Sequence, residues 1–317
     1  MLYRIRNWYE LPPRQDSNRL HQMPQIAKID DTFAEAFPML GTRLIITAID
    51  LELATIAALE FCGNASSVIG CDCEAGIERG LGETRTPDGR PGVSVLAFAF
   101  NKKSLEKAVS SRIGQNVLTC PTTAVYSGLT DSPKDDRIKV GAQLRYFGDG
   151  FQISKKLDKQ RYWRIPVMDG EFLCEDVLGT QQGIGGGNLL VCGASQATAL
   201  AGIRAAVTAI NDLPDVILPF PAGIVRSGSK VGSKYPQLKA STNHKWCPTL
   251  RGQTDSELED GERAVYEVVI DGFSEAAVAN AMKVGLETAA AMPGILRISA
   301  GNYGGKLGKY HFHLHNL

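Results

Sequence analysis

The chain has 317 residues, enough for one large or two medium domains. Thirty-four Lys and Arg balance thirty-four Asp and Glu, which leaves no global field to hold nucleic acid or a membrane surface. Seven cysteines without framework spacing, no run of eighteen apolar residues and no Sec-type apolar leader point to a cytoplasmic protein with reduced thiols.

Residues 1–28, polar and aperiodic with prolines, read as an N-terminal extension. From Thr42 the pattern is regular: "TRLIITAI" predicts a strand and "DLELATIAALEFC" a helix capped by Asp50. "SSVIGCDCEAGIERGL" reads as extended chain, "VSVLAFAF" as a strand and "KKSLEKAVSSRIGQNV" as a helix. "VGAQLRYFGDGFQISKKL" alternates like a hairpin around Gly148–Gly150. The plan then repeats. "NLLVCG" is a strand, "SQATALAGIRAAVTAI" a helix capped by Ser195, and "DVILPFPAGIVRSGSK" a broken strand. "RAVYEVVIDG" feeds the helix "SEAAVANAMKVGLETAAAM", and "GILRISAG" and "KYHFHLH" close the chain. Two strand–helix–strand units per half predict an α/β protein, an α+β sandwich of two duplicated ferredoxin-like split β-α-β lobes at 29–165 and 166–317. A single mixed α/β sheet is the alternative.

Histidine is the commonest metal-ligating side chain, so His311, His313 and His315 are the first candidates for chemistry. On one strand the outer two stand about 13 Å apart, too far for one zinc ion with ligand distances of about 2 Å. The expectation is no metal. "TQQGIGGGNLL" precedes a strand rather than opening a helix, so it reads as a flexible loop or turn and not a dinucleotide fingerprint. Ser195 lacks the spacing of a nucleophile elbow, although bare amides at its helix start suit an anion.

Cys73 and Glu74 in "CDCEAGIERG" and Cys120, Pro121, Thr122 and Thr123 in "LTCPTTAVYSG" lie at element ends, where binding groups often sit. Arg226, Ser229 and Lys230 in "FPAGIVRSGSKVGSKY" form a basic, glycine-punctuated loop fit for an anion. Glu267 is a lone carboxyl in the apolar strand "AVYEVVIDG", sharing a face with Val265 and Val269. A carboxyl on a buried face can act as a proton donor or shuttle near neutrality.

The segments "IDDTFAEAFPMLGTRLIITA", "SSVIGCDCEAGIE", "TPDGRPGVSVL", "VLTCPTTAVYSG" and "RISAGNYGGKLGKYHFHLHNL" resemble the formylmethanofuran:tetrahydromethanopterin formyltransferase family, from about Ile29 to Leu317. The resemblance implies two ferredoxin-like lobes per subunit, a homotetramer, and a cleft where a formyl group moves between the amine of methanofuran and N5 of tetrahydromethanopterin. Both are C1-carrier substrates, and no cofactor is bound permanently. It also implies a buried glutamate in the second lobe, at the position of Glu267. The neutral charge resembles the bacterial branch more than the acidic methanogen proteins. In that branch a member is a subunit of a formyltransferase/hydrolase complex with a metal-dependent, amidohydrolase-like partner. On this basis Glu267 is expected to relay the proton and the Thr122 and Thr123 hydroxyls to hold the oxyanion. Cys73, Glu74, Cys120, Pro121, Ser195, Arg226, Ser229 and Lys230 are expected to contact the carriers. A covalent route through Cys73 or Cys120 is the rival mechanism, and a non-catalytic structural subunit is the rival function.

Overall fold

Asp50, Asn101, Ser195 and Ser274 each follow an extended segment, and each side chain accepts a hydrogen bond from the backbone N–H three residues on. Each thereby satisfies a donor that a helix start leaves orphaned. The computed structural model describes residues 27–157, 159–228 and 230–317. The helices are α1 (Leu51–Cys62), α2 (Lys102–Arg112), a short α3 (Gly141–Leu144), α4 (Gln196–Asn211) and α5 (Glu275–Ala290). Strands β1 (Lys28–Ile29) and β2 (Phe33–Thr47) precede α1. Strands β3 (Glu74–Leu81) and β4 (Gly92–Ala99) lie between α1 and α2, and β5 (Ala124–Ser127) follows α2. After α3 come β6 (Ile153–Leu157), β7 (Gln160–Val167), β8 (Gly170–Glu175) and β9 (Gln181–Gly193). Between α4 and α5 lie β10 (Val216–Ile217), β11 (Lys230–Val231), β12 (Ala240–Ser241) and β13 (Ala264–Gly272); β14 (Ile295–Ser299) and β15 (Tyr310–His313) end the chain.

Among the described residues thirteen strands form one sheet. Within it the order β5-β2-β4-β3 recurs as β14-β9-β13-β10, with all neighbours antiparallel. Each set is strand–helix–strand, strand–helix–strand in chain order, which is the ferredoxin-like arrangement the element order predicts. The two sets join where the first strands of both run past their own lobes. Phe37–Gly41 of β2 pair antiparallel with Gln181–Gly185 of β9, and the start of β2 receives β15. One apolar core lies under α1 and α2 and a second under α4 and α5. The second is close-packed because Gly202 and Gly285 admit neighbours: an added Cβ would stand 2.4 Å from Ile295 and 2.8 Å from Ile210.

Several local expectations are corrected. The glycine run is not a loop; it lies inside β9, because Phe98, Met39 and Val278 occupy the space where side chains at Gly183, Gly185 and Gly187 would go. Gly186 there has φ 98°, a conformation that favours glycine. The hairpin expected around Gly148–Gly150 is instead α3 followed by a tight turn, and β6 pairs with β7. Ser67 to Cys71 form a turn closed by Cys71 N–H to Ser67 O at 2.7 Å, so the extended chain starts only at Glu74. Of the segment read as an extension, residues 1–26 lie outside the described residues, whereas Lys28 already pairs with Arg297.

Candidate functional site

Where the two lobes join, the sheet face turned away from α4 and α5 bounds a cavity of about 1030 Å³. That volume suits a large ligand or two smaller ones side by side. Alternation along β2 presents Glu35, Phe37 and Met39 to it. Alternation along β13 presents Glu267 and Val269, while Val268 and Ile270 on the other face enter the α4–α5 core.

Glu267 is 2% exposed. Its backbone exchanges hydrogen bonds with Val225, N–H to O at 3.0 Å and the reverse at 2.7 Å, so the strand holds the carboxyl in place. Tyr303 stands nearby. Burial pushes its phenol up, a hydrogen bond to the Val231 backbone pulls it down, and the charges of Glu267 and Glu35 push it further up.

Glu35 anchors the loop that carries Tyr303. One oxygen accepts from the backbone N–H of Tyr303 at 2.7 Å and Gly305 at 2.9 Å; the other accepts from Leu307 at 2.6 Å and Gly308 at 2.5 Å. Burial alone would raise this carboxyl, but the four N–H bonds outweigh it and hold the group below its ordinary value. Asn188 of β9 fastens the same loop upstream, accepting from Gly301 N–H at 2.6 Å and donating to Gly301 O at 3.1 Å.

Cations gather at the opposite wall. Arg297 donates to both oxygens of Glu262 at 2.7 and 2.8 Å and to Asp30 at 2.8 Å, and its guanidinium lies 5.0 Å from the ring centre of Trp246. Lys28 pairs with Glu259, and Lys245 with Glu257 at 3.1 Å and Asp255 at 3.3 Å. Lys230 differs: its contact in the wall is His244 Nδ1 at 3.1 Å, an imidazole nitrogen rather than a carboxylate. At the floor, Glu74 of β3 meets Asp271 of β13. Burial and their mutual repulsion raise Asp271 well above an ordinary carboxyl, and burial raises Glu74.

Of the residues expected from the sequence, Glu267, Glu74 and Lys230 share this cavity. The others have different places. Thr122 and Thr123 lie in the turn before β5, off the cavity wall. Thr122 Oγ1 accepts from Ile49 N–H at 3.1 Å, and Thr123 Oγ1 donates to Val117 O at 2.6 Å. Pro121 and Cys120 belong to the same turn. Burial and the charge of Asp50 raise the Cys120 thiol, and burial pushes Cys73, inside the first core, up to about 12, so neither is poised as a thiolate. Ser195 caps α4 in a reciprocal box with Thr198. Arg226 is exposed and off the cavity wall, and Ser229 lies outside the described residues. His311 and His313 flank Phe33 at 4.9 and 5.1 Å between ring centres, and His315 has left the strand for a terminal turn.

Glu35, Asp271, Arg297 and Tyr303 escaped the sequence reading. Two had a usable signal. Glu35 is a lone carboxyl in "FAEAF", the pattern that marks Glu267, and Asp271 continues the Glu267 face at period two.

Comparison with known proteins bears directly on this geometry. The family model described as formylmethanofuran-tetrahydromethanopterin formyltransferase matches residues 23–167, and the model of that family's proximal lobe matches 170–317. A formylmethanofuran--tetrahydromethanopterin formyltransferase of Methylococcus capsulatus is 56% identical over 292 residues, covering 91% of this chain and 97% of that protein. The structure of the Methanosarcina barkeri formyltransferase is similar with a TM-score of 0.85 at 46% identity, covering 92% of this chain and 98% of that one. A chain of the Methylorubrum extorquens formyltransferase/hydrolase complex, solved with methylofuran, has a TM-score of 0.87 at 47% identity, covering 91% and 96%.

Proposed function

Because the chain belongs to the formylmethanofuran-tetrahydromethanopterin formyltransferase family, we propose that it transfers the formyl group by direct attack of one carrier on the other, both held in the cleft between the lobes. Formyl transfer between these carriers is the activity of the family; the path of the reaction in this chain is our reading. The N5 lone pair of tetrahydromethanopterin attacks the formyl carbon of formylmethanofuran from about 3–3.5 Å. The new C–N bond forms, the old one breaks, and the N5 proton ends on the departing methanofuran nitrogen. No electrons are exchanged.

A proton must therefore travel between two nitrogens, and Glu267 is assigned to carry it. The observation behind this assignment is a carboxyl fixed at the cavity wall by an apolar strand. Thr122 and Thr123 are not assigned to the oxyanion, because both lie off the cavity wall and the Thr123 hydroxyl is donated to Val117 O. Lys230, with no carboxylate partner among the described residues, is assigned to an anionic part of a carrier.

Purified protein incubated with formylmethanofuran and tetrahydromethanopterin should yield the N5-formyl product. Glu267→Gln should lower kcat/KM by about 10²–10⁴-fold while the fold is retained; an effect below about threefold removes the relay assignment. We further infer a cytoplasmic homotetramer. The similarity to a chain of the formyltransferase/hydrolase complex favours a second reading, a subunit that binds partner chains without turnover of its own. Carrier binding with no product would select that reading.

A further inference from the structure

The floor of the cleft contains a pair of carboxyls that the transfer step does not use. Glu74 begins β3 of one lobe, and Asp271 lies near the end of β13 in the other. Their carboxyls meet at one spot: a Cβ built on Gly185 would stand 3.0 Å from Asp271 Oδ1 and 3.3 Å from Glu74 Oε2. Two carboxylates have only acceptors to offer each other, so a buried pair this close meets without repulsion only when one of them holds a proton. The remaining oxygens agree. Asp271 is fully buried; its Oδ1 accepts from Gly186 N–H at 3.1 Å, and its Oδ2 has no other donor among the described residues. Glu74 Oε1 accepts from Val68 N–H at 3.0 Å.

Among the described residues the surroundings supply no counter-charge. Met39 of β2 reaches the same spot, and Phe98, Ile217 and Phe273 extend the apolar packing around it. On β3, Glu78 is neutralised by Arg43 and accepts from Ser94, while the neighbouring Cys73 thiol stays protonated. In the preceding turn Asp72 is paired with Arg112. On β2, Glu35 is taken up by its loop amides, and on β13 Glu267 stands one full alternation beyond Val269. Among the described residues, the charge that acts on Asp271 is that of Glu74.

We propose that Glu74 and Asp271 share one proton that latches the two walls of the cleft, fastening the Ser67–Ile69 turn of the first lobe to the Gly185–Gly186 segment of the second. Both residues are positioning residues. Loss of the shared proton sets two buried negative charges against each other, parts the walls and weakens carrier binding. The inference rests on the formyl-transfer reading only where activity is measured.

Two measurements test it. Infrared spectroscopy of the protein alone should show the C=O stretch of a protonated carboxyl near neutral pH, and Asp271→Asn should remove it. In kinetics, KM of the wild type should rise several-fold from neutral to alkaline pH with a smaller change in kcat. In Asp271→Asn the amide donates permanently to Glu74, so the ratio of alkaline to neutral KM should fall to about one. Glu74→Gln places the same donor on the other side and gives an independent variant. A wild type without the protonated-carboxyl band, or an alkaline rise in KM that persists in a folded amide variant, overturns the proposal. A protein that makes no product but shows the band and its loss fails the transfer reading and keeps the latch.

Discussion

Replacing Glu35 by Ala removes the acceptor for four backbone N–H groups, those of Tyr303, Gly305, Leu307 and Gly308. A buried donor left unmade costs about 1–3 kcal/mol. Leu307 is 58% exposed, so water can reach part of this loop and the lower figure applies to most of the four. Summed over the four, the penalty for keeping the loop closed is about 4 kcal/mol, which raises the population of its open form about 900-fold. Glu35→Gln keeps one acceptor oxygen but turns an NH₂ group toward two of the amides, for about half that effect. Hydrogen exchange resolved at those four amides is the direct assay. Their protection should collapse in Glu35→Ala, while amides of β13 stay slow. KM should rise with it, because the loop presents Tyr303 and Leu307 to the cavity. Unchanged protection would mean that the contact of His311 with Gly308 O at 3.2 Å, and of Phe37 with Tyr303 at 6.3 Å between ring centres, hold the loop without the carboxylate.

Lys230→Ala should raise KM for the carrier with the anionic group about 3- to 10-fold with little change in kcat, and Arg226→Ala should leave it near wild type. Equal effects of the two would contradict the difference in placement. Thr122→Ala should leave kcat within about threefold of wild type and lower stability by about 1 kcal/mol in urea titration, because Ile49 N–H loses its acceptor. A loss of several hundred-fold in kcat would restore the oxyanion role. The two carboxyl systems should act on stability with opposite signs. Glu35 is depressed, so its contribution is present above the ordinary carboxylate pKa and is lost as pH falls through the folded value. Asp271 is raised, so the native state holds a proton the unfolded chain has released, and stability declines as pH climbs from the ordinary carboxylate range toward the folded value. Denaturation midpoints of wild type, Glu35→Gln and Asp271→Asn across pH separate the acid limb from the alkaline one; limbs that survive both substitutions would refute the assignment.

Local information was enough for the helix caps, where one short stretch contains both partners of the interaction. Asp50 and Leu53, or Ser195 and Thr198, make a helix cap within three residues, so these starts were readable. Strand alternation put Glu267 and Val269 on one face, and the strand did bury the opposite face against helices. Pairing between distant segments was not readable. The glycines of β9 read as a loop because the side chains that fill their space, Phe98, Met39 and Val278, come from three other elements.

The same limit governs the site. A lone carboxylate in "FAEAF" or "VVIDG" says that something must compensate its burial, but not whether a cation, a proton or backbone amides will do it. For Glu35 the answer comes from a loop some 270 residues away, and for Asp271 from a carboxyl in the other lobe. Thr123 shows the converse: a hydroxyl free in the sequence is donated in the fold to Val117 O. Residue types and periodicity thus determined most of the elements and their buried faces, and the resemblance of whole segments pointed to the family. Only the tertiary structure decided which polar groups remain for substrate, because that depends on which donors and acceptors the folded chain has already used on itself.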